Sequence, residues 1–316
     1  MPGLIQRSAL PDNVTIAAGK KALRVFRDVE DLALRAAHRV RLEAYLRSDR
    51  RPWRAGYTEF RARHLGETLE DAGLMALFRD SRPLPPGYGF RLDARVVEIP
   101  WALSRLPAGP GALLDAGSSL NHAFVVGYCQ GQGWKLHVLT LAPESRCFWD
   151  RGVSYVYGDL RRTVFADDAF GAVVCISTIE HVGMDNSFYA GAAPSARPGD
   201  AWEFLAAVKE LKRVLEPGRA LYITFPFGRH EDHGWFQQLD AGRVDRLVDA
   251  FGPVRASETV FRYLPGGWQL SDRAACAECE FFDVRKSRYF DRGSTVDYPP
   301  DYPAGERAVL CLELRK

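Results

Sequence analysis

The sequence predicts an α/β fold, a doubly wound, mainly parallel seven-stranded sheet over residues 106–316 behind a mostly helical N-terminal extension over 1–105. Three observations predict it. Short apolar runs rich in Val, Ile and Leu alternate with amphipathic segments through the last two thirds of the chain. Small and acidic residues collect directly after those runs. The composition, 47% hydrophobic and 26% charged over 316 residues, is that of an ordinary globular protein with enough apolar surface for a large core.

The elements follow in order. VEDLALRAAHRVRLEAYLR (29–47) carries Leu32, Leu34, Ala37, Val40, Leu42 and Leu46 at helical spacing. A second helix over 58–78 is interrupted by Gly66 and Gly73, and SRPLPPGYG (81–89) reads as a turn. RVVEIPWALSRL (95–106) is a helix beside the first strand, with Trp101 buried. ALLDA (112–116) is that strand, and LNHAFVVGYCQ (120–130) is the helix after it. KLHVLTL (135–141) is the second strand, and APESRCFW opens a short helix. VSYVYGD (153–159) and FGAVVCIS (170–177) are the third and fourth strands. WEFLAAVKELKRVLE (202–216) lines up Leu205, Val208, Leu211, Val214 and Leu215 and stops at Pro217-Gly218. RALYITFPF (219–227) is the fifth strand and AGRVDRLVDAFG (241–252) a helix; TVFRYL and ERAVLCLELR complete the seven strands.

Composition also excludes. Lys+Arg number 42 and Asp+Glu 40, a net charge of +2, which is too small a basic excess for a phosphate-led grip on nucleic acid. The arginines from Arg35 to Arg63 read as a solvated helix face. No apolar run is long enough to span a membrane. The N-terminal MPGLIQRSALPDN lacks the apolar core of a secretory signal, and the six cysteines are irregularly spaced, so a reducing, cytoplasmic location is expected. Cys276 and Cys279 form a C-x-x-C without two further ligands at motif spacing, and read as half-buried thiols.

Ligands of parallel sheets bind beyond the carboxyl ends of the strands. After the first strand, LLDAGSSLNH (113–122) offers a small-residue turn that Asp115 can orient. The dinucleotide fingerprint is incomplete there: Gly117 is present, but Ser119 and Asn121 stand at later glycine positions. Asp159 follows the third strand, Ser177 to His181 the fourth, and a helix-Pro-Gly-strand run spans 208–226.

In this order, over about 110–227 and more loosely beyond, the chain resembles the class I S-adenosylmethionine-dependent methyltransferases, with their Rossmann-like fold. The resemblance implies S-adenosyl-L-methionine as cofactor. It implies Asp115, Ala116 and Gly117, with Ser118, at its amino acid part, and Asp159 and Leu160 at its adenine. It also implies Ser177 through His181 at the reaction centre. Thr140 stands where the family has an acidic ribose ligand, and Glu144 lies one helical turn later. Glu180-His181 is similar to ubiquinone-type O-methyltransferases, which implies a divalent ion such as magnesium on those two residues, although Ser177 replaces the earlier Glu of that group.

Methyl transfer to a hydroxyl needs an aligned acceptor and a base. His181 is the first candidate, with Glu180 to orient it, since an imidazole titrating near ~6.5 suits neutral pH. GRHEDHGWFQQ (228–238) supplies His230 and His233 as alternative bases, and Asp232, Trp235 and Gln237 as contacts for a hydroxyl-rich acceptor. This stretch resembles methyltransferases of bacterial cell-surface polysaccharide loci, which implies a sugar or polysaccharide acceptor. Residues 184–201 read as a lid or a surface insertion, and Trp53, Tyr57 and Phe60 as packing or acceptor surface. Two other classes are weighed. A non-catalytic methyltransferase-fold binding protein accounts for Thr140 and the sparse glycines. A nicotinamide-dependent Rossmann enzyme requires the fuller glycine fingerprint and an acidic residue after the second strand.

Overall fold

The computed structural model describes residues 36–191 and 198–316, and the chain divides into two compact units, 1–60 and 61–316. Residues 61–105 therefore belong to the unit that contains the sheet. In the first unit, α1 is described over 36–46, and residues 29–35 of the expected helix lie outside the described residues. Tyr45 packs its ring edge-on against Tyr57, centroids 6.4 Å apart.

The next helices are α2 (Tyr57–Glu70) and α3 (Ala72–Arg79). The break between them falls at Asp71, not at Gly66. Asp71 Oδ1 accepts from the N–H groups of Gly73 and Leu74 (2.8 and 3.0 Å), satisfying donors that a helix start leaves open. Gly66 simply continues α2. α4 (Arg95–Arg105) buries Val96, Val97, Glu98, Ile99 and Trp101.

The strands are β1 (Gly111–Ala116), β2 (Trp134–Thr140), β3 (Ser154–Tyr157), β4 (Ala172–Ile176) and β5 (Ala220–Pro226), then β6 (Glu231–Asp232), β7 (Gln237–Gln238), β8 (Arg255–Leu264), β9 (Gly267–Ser271) and β10 (Ala308–Arg315). Eight of them form one sheet in the order β3-β2-β1-β4-β5-β10-β8-β9. β1 to β5 pair in parallel, and β10 runs antiparallel between β5 and β8. This is the doubly wound, mainly parallel, Rossmann-like arrangement expected. The seven expected strands are all present; β9 is the eighth, returned along β8 by a turn at Pro265-Gly266.

α5 (Ala123–Gly131), α6 (Ser187–Ala190), α7 (Phe204–Val214), α8 (Ala241–Phe251) and α9 (Arg273–Cys276) complete the described helices. β4 and β5 are buried along their whole lengths, as expected of inner parallel strands covered on both faces. Phe204, Val208 and Leu211 of α7 and Val244, Leu247 and Phe251 of α8 belong to the same core cluster. Full burial of each such side chain contributes about 1.5–3 kcal/mol. One expected element is absent: 142–148 is irregular, and only a short 3-10 turn, Trp149–Arg151, follows it. Pro143 lacks an N–H for a helix, and Asn121 Nδ2 occupies the Arg146 carbonyl (2.9 Å).

The order reverses direction between β1 and β4, and each side of that switch presents its strand ends to one edge. The polar residues after β1, β2, β3 and β4 meet there.

Candidate active site

A cavity of about 470 Å³ opens at that edge, lined by Arg95, Gly117, Glu144, Asp159, Ser177 and His181 among others. The turn after β1 is held by Asp115, which is fully buried and accepts from the N–H groups of Ser119 (3.1 Å) and Leu120 (2.8 Å). Burial pushes its carboxyl up to about 7, against the pull of those two bonds. The residues in place of the later glycines tie the site together. Ser119 Oγ donates to the Ile176 carbonyl at the end of β4 (2.7 Å), and Asn121 Oδ1 accepts from Tyr155 (2.7 Å). Gly117 has φ +121, and a Cβ there would overlap Thr178, so the first glycine position alone is obligatory. Ala116 is buried in the strand end, and the buried Ser118 hydroxyl has no hydrogen-bond partner among the described residues.

Thr140 ends β2 and lines the cavity, as does Glu144. Beyond β3, Asp159 and Leu160 line the far end. Arg161 Nε reaches both Asp159 oxygens at 3.0 Å, and Arg161 Nη1 pairs with Glu203. Burial raises the Asp159 carboxyl, but the Arg161 bonds outweigh it and hold it below the usual range.

At the other end stands His181, in a 3-10 turn after β4 (Ile179–His181). Its Nδ1 is 2.8 Å from the Trp235 carbonyl. A carbonyl only accepts, so Nδ1 carries the hydrogen and Nε2 keeps a lone pair. Burial, with Arg95 and Arg285 adding, lowers its pKa to about 4 despite the Trp235 bond. The ring is thus neutral across the physiological range, rather than titrating within it as its ordinary value implies. Asn186 Nδ2 donates to the His181 carbonyl (2.7 Å), and Tyr189 meets the ring edge-on (5.6 Å).

Ser177 holds a left-handed backbone, φ +37, uncommon for a side-chain-bearing residue. Its hydroxyl donates to Glu98 Oε1 (2.6 Å), which also accepts from Thr224 (2.7 Å); Glu98 Oε2 takes Arg95 Nη1 (2.6 Å). Glu98 is fully buried, and Arg95 reaches past it to the cavity.

Glu180 is buried, and its Oε2 has no hydrogen-bond partner among the described residues. Burial, with Glu98 and Glu306 adding, drives its carboxyl well up, against Arg95. No group of three or more His, Cys, Asp or Glu side chains able to hold a metal ion occurs among the described residues. His181 lines the cavity and Glu180 does not, so the two are not brought to it together as ligands.

After β5, β6 and β7 form a hairpin. Its residues face several ways. His230 Nδ1 is engaged by the Gln238 carbonyl (2.9 Å), and His233 stacks on Phe236, centroids 4.3 Å apart. Asp232 accepts from the Gly234 N–H (2.7 Å), and Gln237 Nε2 donates to the Ala201 carbonyl (2.6 Å). None of these four lines the cavity. Trp235 stands against His181, rings 5.1 Å apart, and forms the wall behind it. Sequence reasoning missed Arg95, Glu98, Asn186 and Tyr189. An Arg and a Glu three apart on a helix give no sign in sequence that they reach strand ends some 80 residues away.

Two carboxyls with raised pKa values make stability pH-dependent. Asp115 and Glu306, both raised to about 7, bind protons in the folded state that the unfolded chain has released. Stability therefore falls as pH rises through about 6.5 to 8. His181, lowered to about 4, acts in the opposite sense only at lower pH, where the unfolded chain takes its proton. Urea unfolding at pH 6.5 and pH 8 checks this: the midpoint is expected lower at pH 8, and Glu306→Gln to reduce the difference. A midpoint that rises over this window contradicts it.

No protein-family model matches the sequence, and no curated protein matches it. Solved structures are similar in fold. One is a 1,6-didemethyltoxoflavin-N1-methyltransferase from Burkholderia thailandensis, with 12% identity over 81% of this chain and 88% of that one, TM-score 0.42. Another is a SAM-dependent methyltransferase from Methanosarcina mazei, with 12% identity over 68% and 96%, TM-score 0.38. A third is the [4+2]-cyclase SpnF, with 15% identity over 68% and 78%, TM-score 0.40. No helix among the described residues is long and apolar enough to cross a membrane.

Proposed function

We propose that the chain transfers a methyl group from S-adenosyl-L-methionine to an oxygen of a small-molecule acceptor, with sugar hydroxyls in the class. The observation that carries this is one cavity running along the ends of β1, β2, β3 and β4 to a neutral imidazole whose Nε2 is unprotonated. The donor set suits the cofactor piece by piece. Arg95 meets the carboxylate, and the Gly117-Ser118 turn, held by Asp115, takes the amino acid part. Thr140 and Glu144 offer acceptors to the ribose hydroxyls, and Asp159 and Leu160 flank the adenine. When bound, the cofactor supplies an activated sulfonium methyl. His181 Nε2 accepts the acceptor's proton, Tyr189 and Trp235 confine the imidazole, and the acceptor lies in the cavity that His181 and Tyr189 line. The hairpin residues Asp232 and Gln237 act behind that surface.

Calorimetric titration with S-adenosylhomocysteine tests the reading, with saturable binding expected. Asp115→Ala is expected to weaken that binding about 10- to 100-fold, since the turn loses an acceptor with two charge-assisted bonds worth on the order of 1.5–3 kcal/mol each. Saturable binding of a nicotinamide dinucleotide, with none of S-adenosylhomocysteine, overturns it. Binding of S-adenosylhomocysteine without turnover on any hydroxylated acceptor favours the non-catalytic binding protein instead.

A further inference from the structure

Cys276 and Cys279 lie outside the cavity, and the methyl-transfer reading makes no use of them. Cys276 ends α9, and the Cys279 N–H donates to the Cys276 carbonyl at 3.0 Å. A turn closed in this way brings Cα atoms i and i+3 within about 7 Å. A disulfide spans Cα separations of about 4.4–6.8 Å. The side chains are neighbours as well: the Cys276 S–H donates to Ser271 Oγ at 3.4 Å, and the Cys279 sulfur interacts with Cys276. Interaction with Cys276, with Arg262 and Arg307 adding, lowers the Cys279 thiol against burial, while interaction with Cys279 and burial raise that of Cys276. Cys276 is fully enclosed, while Cys279 keeps 7% of its surface exposed. The pair is thus asymmetric, with Cys279 the nearer of the two to solvent.

We propose that Cys276 and Cys279 are an oxidation site, a dithiol that closes to an intramolecular disulfide when it meets hydrogen peroxide. The Cys279 thiolate attacks one peroxide oxygen and the O–O bond breaks. One water leaves, with the thiol's proton, and Cys279 becomes a sulfenic acid. The Cys276 sulfur then attacks the Cys279 sulfur, the S–O bond breaks, and the second water leaves with the Cys276 proton. Two thiols give up two electrons and two protons, and the peroxide takes both.

The turn is also fastened to the wall behind His181. The Cys279 carbonyl accepts from the Arg229 N–H (3.0 Å) and from Gln238 Nε2 (2.8 Å). Gly228 packs so closely on that carbonyl that a Cβ would overlap it. Gln238 ends the hairpin that carries Trp235, whose carbonyl holds the His181 ring. Closing the disulfide changes the shape of the 276–279 turn, and through one carbonyl that change reaches the hairpin.

The test uses the whole chain and needs no methyl transfer, so its outcome is separate from that of the proposed reaction. The protein is titrated with hydrogen peroxide, unfolded, alkylated and mapped by mass spectrometry. The expected result is the loss of two hydrogens in the peptide containing 276–279, reversed by dithiothreitol, at peroxide levels that leave the half-exposed Cys147 alkylatable. Cys276→Ser and Cys279→Ser should each abolish it. Because a serine in this core can itself unfold the protein, mapping of the natural chain decides. Both cysteines still alkylatable when Cys147 is oxidised, or Cys279 passing to the sulfinic acid unpaired, overturns the site. Hydrogen exchange of the 228–238 amides is expected to change on oxidation and return on reduction; unchanged exchange overturns the link to the hairpin.

Discussion

His181→Ala is expected to lower the single-turnover rate about 10²–10⁴-fold while S-adenosylhomocysteine affinity moves by less than about threefold. The split follows from position. His181 stands at the end of the cavity next to Tyr189, and its Nδ1–H is spent on the Trp235 carbonyl, so Nε2 is the free basic atom. Removing it removes a proton acceptor and little binding surface for a cofactor lying along β1, β2 and β3. The acid limb of the pH–rate profile is expected well below pH 6, because burial and Arg95 lower the imidazole to about 4. His230 and His233 are engaged within the hairpin and do not line the cavity, so His230→Ala should retain most of the rate. A His181→Ala enzyme with near-normal chemistry, beside a dead His230 or His233 variant, would falsify the assignment.

Much of this fold was legible because local signals and tertiary demand agree. The fifth strand and its Pro217-Gly218 turn follow from an apolar run too short for a helix and a residue pair that ends one. The fourth strand follows from its uninterrupted apolar run, which only an inner strand covered on both faces requires. Other features needed the packed structure. The polar run after β5 suggests acceptor contacts, and in the structure its Gln side chains and His230 bond backbone carbonyls within and behind a hairpin. Polarity does not reveal whether the partner is a ligand or the chain itself. Glycine counting undervalued the first turn, where Ser119 and Asn121 make tertiary bonds in place of conformational freedom. The ordinary imidazole pKa assigned to His181 ignored burial, which only the packed structure supplies.

The second large effect belongs to a residue that touches no ligand. Glu98 is the shared acceptor for Ser177, Thr224 and Arg95, and it is fully buried. Glu98→Ala strips all three at once and leaves the Arg95 guanidinium without its ion-pair partner beside the cavity. Breaking a buried pair in this way costs about 3–5 kcal/mol, so a large fall in unfolding free energy is expected in urea. Glu98→Gln separates stability from function. Its amide oxygen still accepts from the Ser177 and Thr224 hydroxyls, so the strained Ser177 turn stays supported, but the charge that anchors Arg95 is gone. If Arg95 meets the cofactor carboxylate, S-adenosylhomocysteine affinity in Glu98→Gln should fall about tenfold, or about 1.4 kcal/mol. The affinity for 5′-methylthioadenosine, which has no carboxylate, should stay the same. Equal losses for both ligands would mean that Glu98 supports the cavity as a whole and that Arg95 does not read the carboxylate. No loss for either would mean that the Ser177 turn and Arg95 hold their places without the charge on α4.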